Sequence, residues 1–445
     1  MCNYKIHNNE IGDLLKNEYS INQIDVIYNL LLSKGTFDFI ALDNGLFPAA
    51  LLKSKNKFTN YDKVWVRDNI YVANAFYENS DTQKAQKNIY SLGDFFYKYR
   101  SKFINIINGK VSPNDPMNRP HIRFDGTNLI ELPEKWAHAE NDALGYYLWL
   151  MFKMANSNDL VLRKEEIELI PLFVSYFDKI AYWEDEDSGH WEETRKIETS
   201  SIGVIVSALN ELKNYLTNRN ISNELKSLLL VDQIIVKRLI KKGIEKLVEI
   251  LPYECNQSEA NKFREVDAAQ LFLIYPLCLF ENNKLDANME DTILKNVQTK
   301  LQGEYGIKRY IGDSFWTANT KKKQKKAEIT ADYSDRIEER NKNHQLGEEA
   351  QWCIFDSIIS VIYGKRFSKS KNNNDYKKQV HYFNRSLAQI TGIDCKYDAF
   401  KCPELYYLEN GKYTYNDTVP LLWAQSNLWM AFKELKLSTH TNNAA

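Results

Sequence analysis

Apolar residues recur at spacings of three and four along most of this chain of 445 residues, which is the repeat of an amphipathic α-helix. Alternating patterns typical of strands are scarce, and only 17 Gly and 10 Pro interrupt the helical blocks. The periodicity predicts helices over residues 11–34, 67–79, 82–107, 139–157, 164–181, 199–218, 221–251, 264–281, 287–301, 348–363, 376–391 and 420–436. Such a pattern restricts the chain to an all-α fold.

No Pro-, Gly- or Ser-rich linker separates these segments. The twelve predicted helices therefore favour one closed helical domain over separate modules. Strand-like pieces near 118–131 and 405–416 are predicted to be short hairpins in loops. Two segments poor in apolar residues, 320–345 and 368–378, are predicted to be solvated loops rather than binding arms. A place at the border of a cleft, as mobile lids, stays open for both.

The charge balance excludes several classes of partner. Lys and Arg total 58 against 59 Asp and Glu, a formal net charge of -1, so no field attracts nucleic acid or an anionic membrane. No stretch approaches the roughly 20 apolar residues of a membrane span, and the start MCNYKIHNNE lacks the features of a signal peptide. We expect a cytoplasmic protein. Its six cysteines form no CxxC pair, which indicates reduced thiols and no structural zinc.

Two stretches more than two hundred residues apart each place a carboxylate beside aromatic residues. They are GHWEE at 189–193 and CPELYY at 402–407. A glycosidase needs a proton donor and a second carboxylate in a shielded pocket, and the ring of Trp191 beside two acids is an environment that raises one carboxyl pKa. The alternatives are a helix-terminal acidic pair for Glu192 and Glu193, and a hydrated loop residue for Glu404.

Three further blocks combine a ring with polar side chains at a junction of loop and helix: WVRDN at 65–69, WAHAEND at 136–142 and KRYIGD at 308–313. Arginine forks and carboxylates suit recognition of adjacent sugar hydroxyls. Helix caps with local salt bridges are the structural alternative. In a ring of helical hairpins, junctions of one parity open on one face, so these blocks are expected to converge.

In this order, the blocks resemble glycoside hydrolase family 15, the glucoamylase family, together with the related amino-terminal region of phosphorylase kinase regulatory subunits. The resemblance runs from about residue 40 to residue 436. It implies that Trp65, Arg67 and Asp68 belong to the first sugar-binding loop, with Arg67 and Asp68 holding the outer hydroxyls of a terminal glucose. Trp136 matches the tryptophan that flanks the acid.

The same resemblance implies Glu192 as general acid, with Trp191 and Glu193 as substrate-binding neighbours. Arg309 is implied to reach the sugar, and Glu404 to act as general base. Members of the family invert the anomeric configuration, and inverting carboxyl pairs stand about 6.5 to 9.5 Å apart. No cofactor or metal is implied.

The implied fold is an (α/α)6 barrel of six outer and six inner helices, with short β-hairpins in its loops. Residues 1–39 are then an N-terminal helical segment packed on the barrel, and 40–445 form the glycoside hydrolase domain, one domain overall.

The resemblance implies an exo-acting inverting α-glucosidase that removes terminal α-linked glucose from maltooligosaccharides or glycogen-type glucans. Two alternatives remain open. The run after Trp136 differs from that of fungal glucoamylases, and the blocks around Trp65, Asp142 and Gly203 are more similar to the kinase-subunit branch, which implies a non-hydrolytic carbohydrate-binding or regulatory domain. The same scaffold also hosts trehalose hydrolysis and α-1,6 cleavage, because linkage preference lies in loop contacts.

Overall fold

The computed structural model describes residues 4–50, 61–283, 285–318, 332–342 and 344–444. The described chain is mostly helical. Its α-helices are α1 Asn9–Gly12, α2 Ile21–Ser33, α3 Val66–Glu78, α4 Thr82–Lys98, α5 Ser101–Ile107, α6 Asn141–Asn156, α7 Lys164–Lys179, α8 Thr199–Thr217, α9 Asn223–Leu228, α10 Gln233–Ile250, α11 Leu271–Ile274, α12 Leu279–Asn283, α13 Ala287–Asn296, α14 Ile337–Asn341, α15 Phe355–Ser370, α16 Asn373–Ala388 and α17 Leu422–Ala444.

Six helices close an inner ring. Around this ring, α3 contacts α6, α6 contacts α8, α8 contacts α11, α11 contacts α15, α15 contacts α17, and α17 returns to α3. The outer layer consists of α2 on α17, α4 on α3, α10 on α8, α13 on α11 and α16 on α15. Helix α7 packs on α4 and α5, and its Phe173 ring lies 5.7 Å from the Tyr147 ring of α6. The fold is an (α/α)6 barrel.

The inner and outer helices differ in how much of their surface is buried. Fifteen of the 19 residues of the inner helix α8 are buried, because this helix has neighbours on both sides. The outer helix α10 buries only Val236, Leu239, Ile240, Gly243, Leu247 and Ile250. These positions are three or four residues apart, so they form one apolar stripe facing the ring. An outer helix is therefore amphipathic, whereas an inner helix is buried almost all round.

Two small antiparallel sheets lie in the loops. The first joins β1 Val64–Trp65, β2 Arg123–Asp125 and β3 Ile130–Glu131, and the second joins β4 Gln351–Trp352, β5 Leu405–Glu409 and β6 Lys412–Tyr415. The predicted hairpins correspond to β2–β3 and β5–β6. Each gains a third strand from a distant part of the chain, since β1 pairs with β2 and β4 with β5.

The N-terminal segment lies against the last inner helix. In this contact the Tyr28 and Phe37 rings each lie within 6 Å of the Phe432 ring of α17. The segment also contacts the outer helix α16, where Tyr19 Oη donates to Asn384 Oδ1 at 2.6 Å. Helix α2 thus serves as an outer helix. The division of the chain after residue 39 stays a prediction.

Several predicted helices are divided in the structure. The segment predicted over 264–281 becomes a 3₁₀ turn at Ala268–Gln270 followed by α11 and α12, because Pro276 has no N–H to donate and disfavours a helical residue before it. The segment 221–251 is interrupted where Leu230 takes a φ of +51°. Of the segments predicted as loops, 320–345 lies partly outside the described residues and contains α14, and 368–378 is mostly helical, because α15 ends at Ser370 and α16 begins at Asn373.

Candidate active site

A pocket opens among the loops that lead into the inner helices. Its walls combine aromatic rings with charged groups, and the lining side chains are those of Ala49, Tyr61, Trp65, Arg67, Asp68, Trp136, His190, Trp191, Glu192, Arg309, Phe315, Tyr333, Arg340, Trp352, Glu404, Leu421 and Trp423. Most precede or begin an inner helix, namely α3, α6, α8, α15 or α17. All predicted site residues except Glu193 are among them.

Glu192 follows the 3₁₀ turn Gly189–Trp191 and takes a left-handed conformation with φ 59° and ψ 45°. This conformation is costly for a residue with a side chain, and it lies where the chain turns toward α8. The Trp65 indole Nε1–H donates to Glu192 Oε1 at 2.8 Å. Burial raises the pKa of Glu192, and the nearby Arg67, Arg123 and Arg309 oppose that rise.

Glu404 precedes strand β5 and is 2% exposed. Its backbone is held on both sides, by Glu404 N donating to Thr418 O at 3.0 Å and by Cys353 N donating to Glu404 O at 2.9 Å. Tyr61 Oη donates to Glu404 Oε1 at 2.7 Å, and Asn416 Nδ2 donates to Oε2. Burial raises the pKa of Glu404, while these neutral donors partly offset the rise.

Aromatic rings link the two carboxylates. The Tyr61 ring, whose hydroxyl contacts Glu404, lies 5.3 Å from the Trp65 ring, whose N–H contacts Glu192. Trp136 meets Trp65 edge to face at 6.1 Å. Apolar faces of this kind stack against pyranose rings, so the wall between the two carboxylates suits a sugar.

Arg67 joins three loops rather than projecting freely into the pocket. Its Nε donates to Asp142 at 2.6 Å, and Nη2 donates to Glu140 at 2.7 Å and to Gly189 O at 3.1 Å. The neighbouring Asp68 is the less satisfied group: burial, with the charges of Glu192 and Glu404, raises its pKa to about 7. Arg67 therefore fixes the starts of α3 and α6 against the 189–191 turn, while Asp68 faces the cavity.

Glu193 lies behind the pocket wall. Its carboxylate is 2% exposed and accepts from Tyr310 Oη at 2.6 Å and from Arg340, with Arg309 and Arg264 at 3.4 and 3.5 Å. Burial alone would raise the pKa of Glu193, but the three arginines hold it well below the usual range. Glu193 thus positions Arg309 and Arg340, which do line the cavity.

Sequence reasoning missed several residues that shape the site. Tyr61, Arg340, Trp352 and Trp423 line the pocket, and Asn416 holds Glu404. None of them lies in the five sequence blocks singled out at 65–69, 136–142, 189–193, 308–313 and 402–407. The sequence does place Tyr61 four residues before Trp65. That spacing alone does not show that the two rings meet, because the contact depends on how the chain enters β1. Among the described residues, no cluster of His, Cys, Asp and Glu could hold a metal ion.

A family model described as "Glycosyl hydrolases family 15" matches residues 36–427. The chain belongs to this family. Among curated relatives, the probable phosphorylase b kinase regulatory subunit alpha of Drosophila melanogaster is 26% identical over 302 residues, which cover 61% of this chain and 22% of that subunit. This family 15 chain therefore corresponds to about a fifth of the relative's length.

Solved structures confirm the barrel. A glycosidase variant in complex with glucose has a TM-score of 0.65 at 15% identity, with 94% of this chain and all of that chain covered. Glucoamylase from Saccharomycopsis fibuligera has a TM-score of 0.58 at 12% identity, with 98% of each chain covered. At this identity the likeness establishes the fold alone. No helix in the described part of the family 15 chain has the length and apolar content needed to cross a membrane.

Proposed function

We propose that this protein is an exo-acting inverting α-glucosidase that releases terminal glucose from α-linked glucans. The observation that carries the proposal is that Glu192 and Glu404, 212 positions apart in the chain, line one aromatic-walled pocket. The glucose complex of a structural neighbour supports a sugar ligand. The proposal rests on family membership and on this geometry together.

In the proposed reaction, the protonated Glu192 delivers its proton to the glycosidic oxygen as the bond to the anomeric carbon breaks. The ionised Glu404 takes a proton from a water that attacks the opposite face of the sugar. Burial favours the protonated form of Glu192. Two hydrogen-bond donors, Tyr61 and Asn416, hold the carboxylate of Glu404 in one orientation, as a base that must aim at a single water requires.

The polar residues around the pair are proposed to bind the sugar. Asp68, Arg309 and Arg340 present charged groups to the cavity, and charged groups are strong partners for hydroxyls. Trp65, Trp136 and Trp191 supply the apolar faces. Glu193 and most of the Arg67 donors are engaged by the protein, so we propose that both act mainly by holding other residues in place.

The test is glucose release from maltotriose, isomaltose and trehalose, with product anomers resolved by NMR. We expect β-glucose to form first. Glu192→Gln and Glu404→Gln should remain folded and lose turnover. If the folded wild-type protein frees no glucose from any of the three sugars, the proposal is wrong. The same panel decides among α-1,4, α-1,6 and trehalose cleavage.

A second candidate is a carbohydrate-binding or regulatory domain without turnover. Its support is the similarity to the phosphorylase kinase subunit, which is a regulatory subunit by name. The presence in one pocket of a half-buried Glu192 and a buried Glu404, both with raised pKa values, favours the enzyme. Calorimetric binding of maltotriose without glucose release would favour the binding domain instead.

A further inference from the structure

Arg123 is a buried cation that forms no salt bridge with any residue the structure describes. It lies in β2, is 3% exposed, and its Nε has no hydrogen-bond partner among the described residues. No ion pair of its guanidinium is found within the same part of the chain. Buried arginines elsewhere in the protein are paired, as Arg119 is with Asp185 at 2.6 Å. An unpaired buried charge is unfavourable, so this exception calls for a physical explanation.

The Arg123 guanidinium contacts two tryptophans of the pocket wall. Its carbon lies 4.1 Å from the centre of the Trp136 ring and 5.1 Å from that of Trp65. Strand pairing fixes this arrangement, because Trp65 stands opposite Arg123 in the β1–β2 register. Cation–π contacts with two indoles partly compensate for lost hydration. Arg123 thus holds the corner where Trp65 and Trp136 meet.

The same corner contacts Glu192 through the Trp65 indole N–H. Positive groups that act on Glu192 are Arg67, Arg123 and Arg309, with Arg340 in the pocket wall beyond. The acidic and phenolic groups around Glu192 are Asp68, Glu140, Glu404 and Tyr61. His190, on the same turn as Glu192, stays neutral because burial lowers the pKa of His190 to about 3. Arg67 is paired with Asp142 and Glu140, and Arg309 with Asp313. Within the described part of the chain, Arg123 forms no salt bridge, although the charges of Glu134 and Asp62 act on it together with that of Glu192.

We propose that Arg123 is a positioning residue that fixes the Trp65–Trp136 corner and holds a positive charge against the Trp65 ring whose N–H donates to Glu192, so that it sets the alkaline limit of activity. The proposal rests on the function given above, with Glu192 as the acid. An acid works best when its pKa lies near the working pH. Burial raises the pKa of Glu192, and an adjacent cation opposes the rise.

The first experiment measures kcat/KM against pH for the wild-type protein, Arg123→Gln and Arg123→Lys. Removing the positive charge should raise the pKa of Glu192, so the alkaline limb of Arg123→Gln should move up by about one pH unit. Arg123→Lys keeps the positive charge, so its alkaline limb should lie at the same pH as that of the wild-type protein. A matched control is Lys63→Gln, which removes a cation paired with Asp125 at 3.2 Å beside the same sheet and should leave the profile unchanged.

A second readout does not need turnover. Urea unfolding of Arg123→Gln, Glu192→Gln and the double variant across a range of pH gives the coupling between the two side chains. The coupling should grow as pH rises, because only the ionised carboxylate attracts the cation. If no sugar is cleaved but this coupling appears, the proposed function fails while the charge relation stands.

A coupling that does not change with pH would overturn the inference about Arg123. So would an active enzyme whose alkaline limb is the same in wild type and Arg123→Gln, or one in which Arg123→Lys shifts as far as Arg123→Gln. A purely structural role predicts that last pattern, or a loss of kcat that is uniform across pH.

Discussion

Glu192 and Glu404 are two glutamates that line one pocket, yet the protein holds their side chains differently. Glu192 stands on a left-handed turn, receives one indole N–H and is surrounded by the charges of arginines. Glu404 stands beside a paired strand and receives a phenol and an amide. Glu404 is buried, whereas Glu192 is half-buried at the pocket wall.

The difference shows which interaction adjusts the pKa of each carboxyl group. Both pKa values are raised by burial. Glu192 is then adjusted mainly by the charge of cations, which acts whatever the exact direction of its oxygens. Glu404 is adjusted by short directional hydrogen bonds, which also fix where its oxygens point. We infer that orientation matters more for the proposed base and charge more for the proposed acid.

The largest expected effect separates the two roles outright. On maltooligosaccharides, Glu192→Gln and Glu404→Gln should each lose about 10²- to 10⁴-fold in kcat or more, the range of general acid–base catalysis. On α-glucosyl fluoride, whose leaving group needs no proton, Glu192→Gln should regain most of its rate while Glu404→Gln should not. Initial rates of fluoride release measure this. Equal rescue of both variants would contradict the assignment.

Tyr61→Phe tests how far hydrogen bonding sets the pKa of Glu404. Loss of one hydrogen bond to a charged group costs about 1.5 kcal/mol, or roughly tenfold in kcat/KM. That bond stabilises the ionised form, so its loss raises the pKa of Glu404. Because the base must be ionised, the acidic limb of kcat/KM should move to higher pH. An unchanged acidic limb would show that Tyr61 does not act on Glu404.

Trp65→Phe is the matching change on the side of Glu192, with a smaller expected loss because the arginines remain. Removing the indole N–H raises the pKa of Glu192. Since the acid must be protonated, the alkaline limb should move to higher pH while the acidic limb stays. A pH profile in which Trp65→Phe and Tyr61→Phe move the same limb would break the comparison.

The smallest effect concerns stability. Glu192→Gly should leave the free energy of unfolding nearly unchanged, because glycine carries no penalty at positive φ while the Trp65 indole N–H loses its acceptor. Glu404→Gly should lower it by at least about 1 kcal/mol, since the φ there is not positive and buried donors are left without an acceptor. Urea midpoints at a single pH measure both. Equal destabilisation would show that the turn at Glu192 is not strained.

Much of the barrel could be predicted because helical periodicity is local. Outer helices such as α10 carry a stripe at spacings of three and four, and inner helices such as α8 carry long apolar runs. The errors fall where a local exception outweighs the pattern, as at Pro276, or where a loop forms strands with distant residues, as at β4. The residues in the blocks around 65, 136, 189, 309 and 404 were found because chemistry-bearing residues cluster there.

Sequence alone thus determined an all-helical chain, the blocks that carry carboxylates and rings, and their place at junctions of loop and helix. The tertiary structure decided how those groups are used: that Glu193 faces arginines behind the wall, that Arg67 is engaged by Asp142, and that Tyr61 and Asn416 hold Glu404. Periodicity depends on neighbours three or four residues away. Pairings such as Trp65 with Glu192, 127 positions apart, depend on how the ring closes, which no local pattern contains.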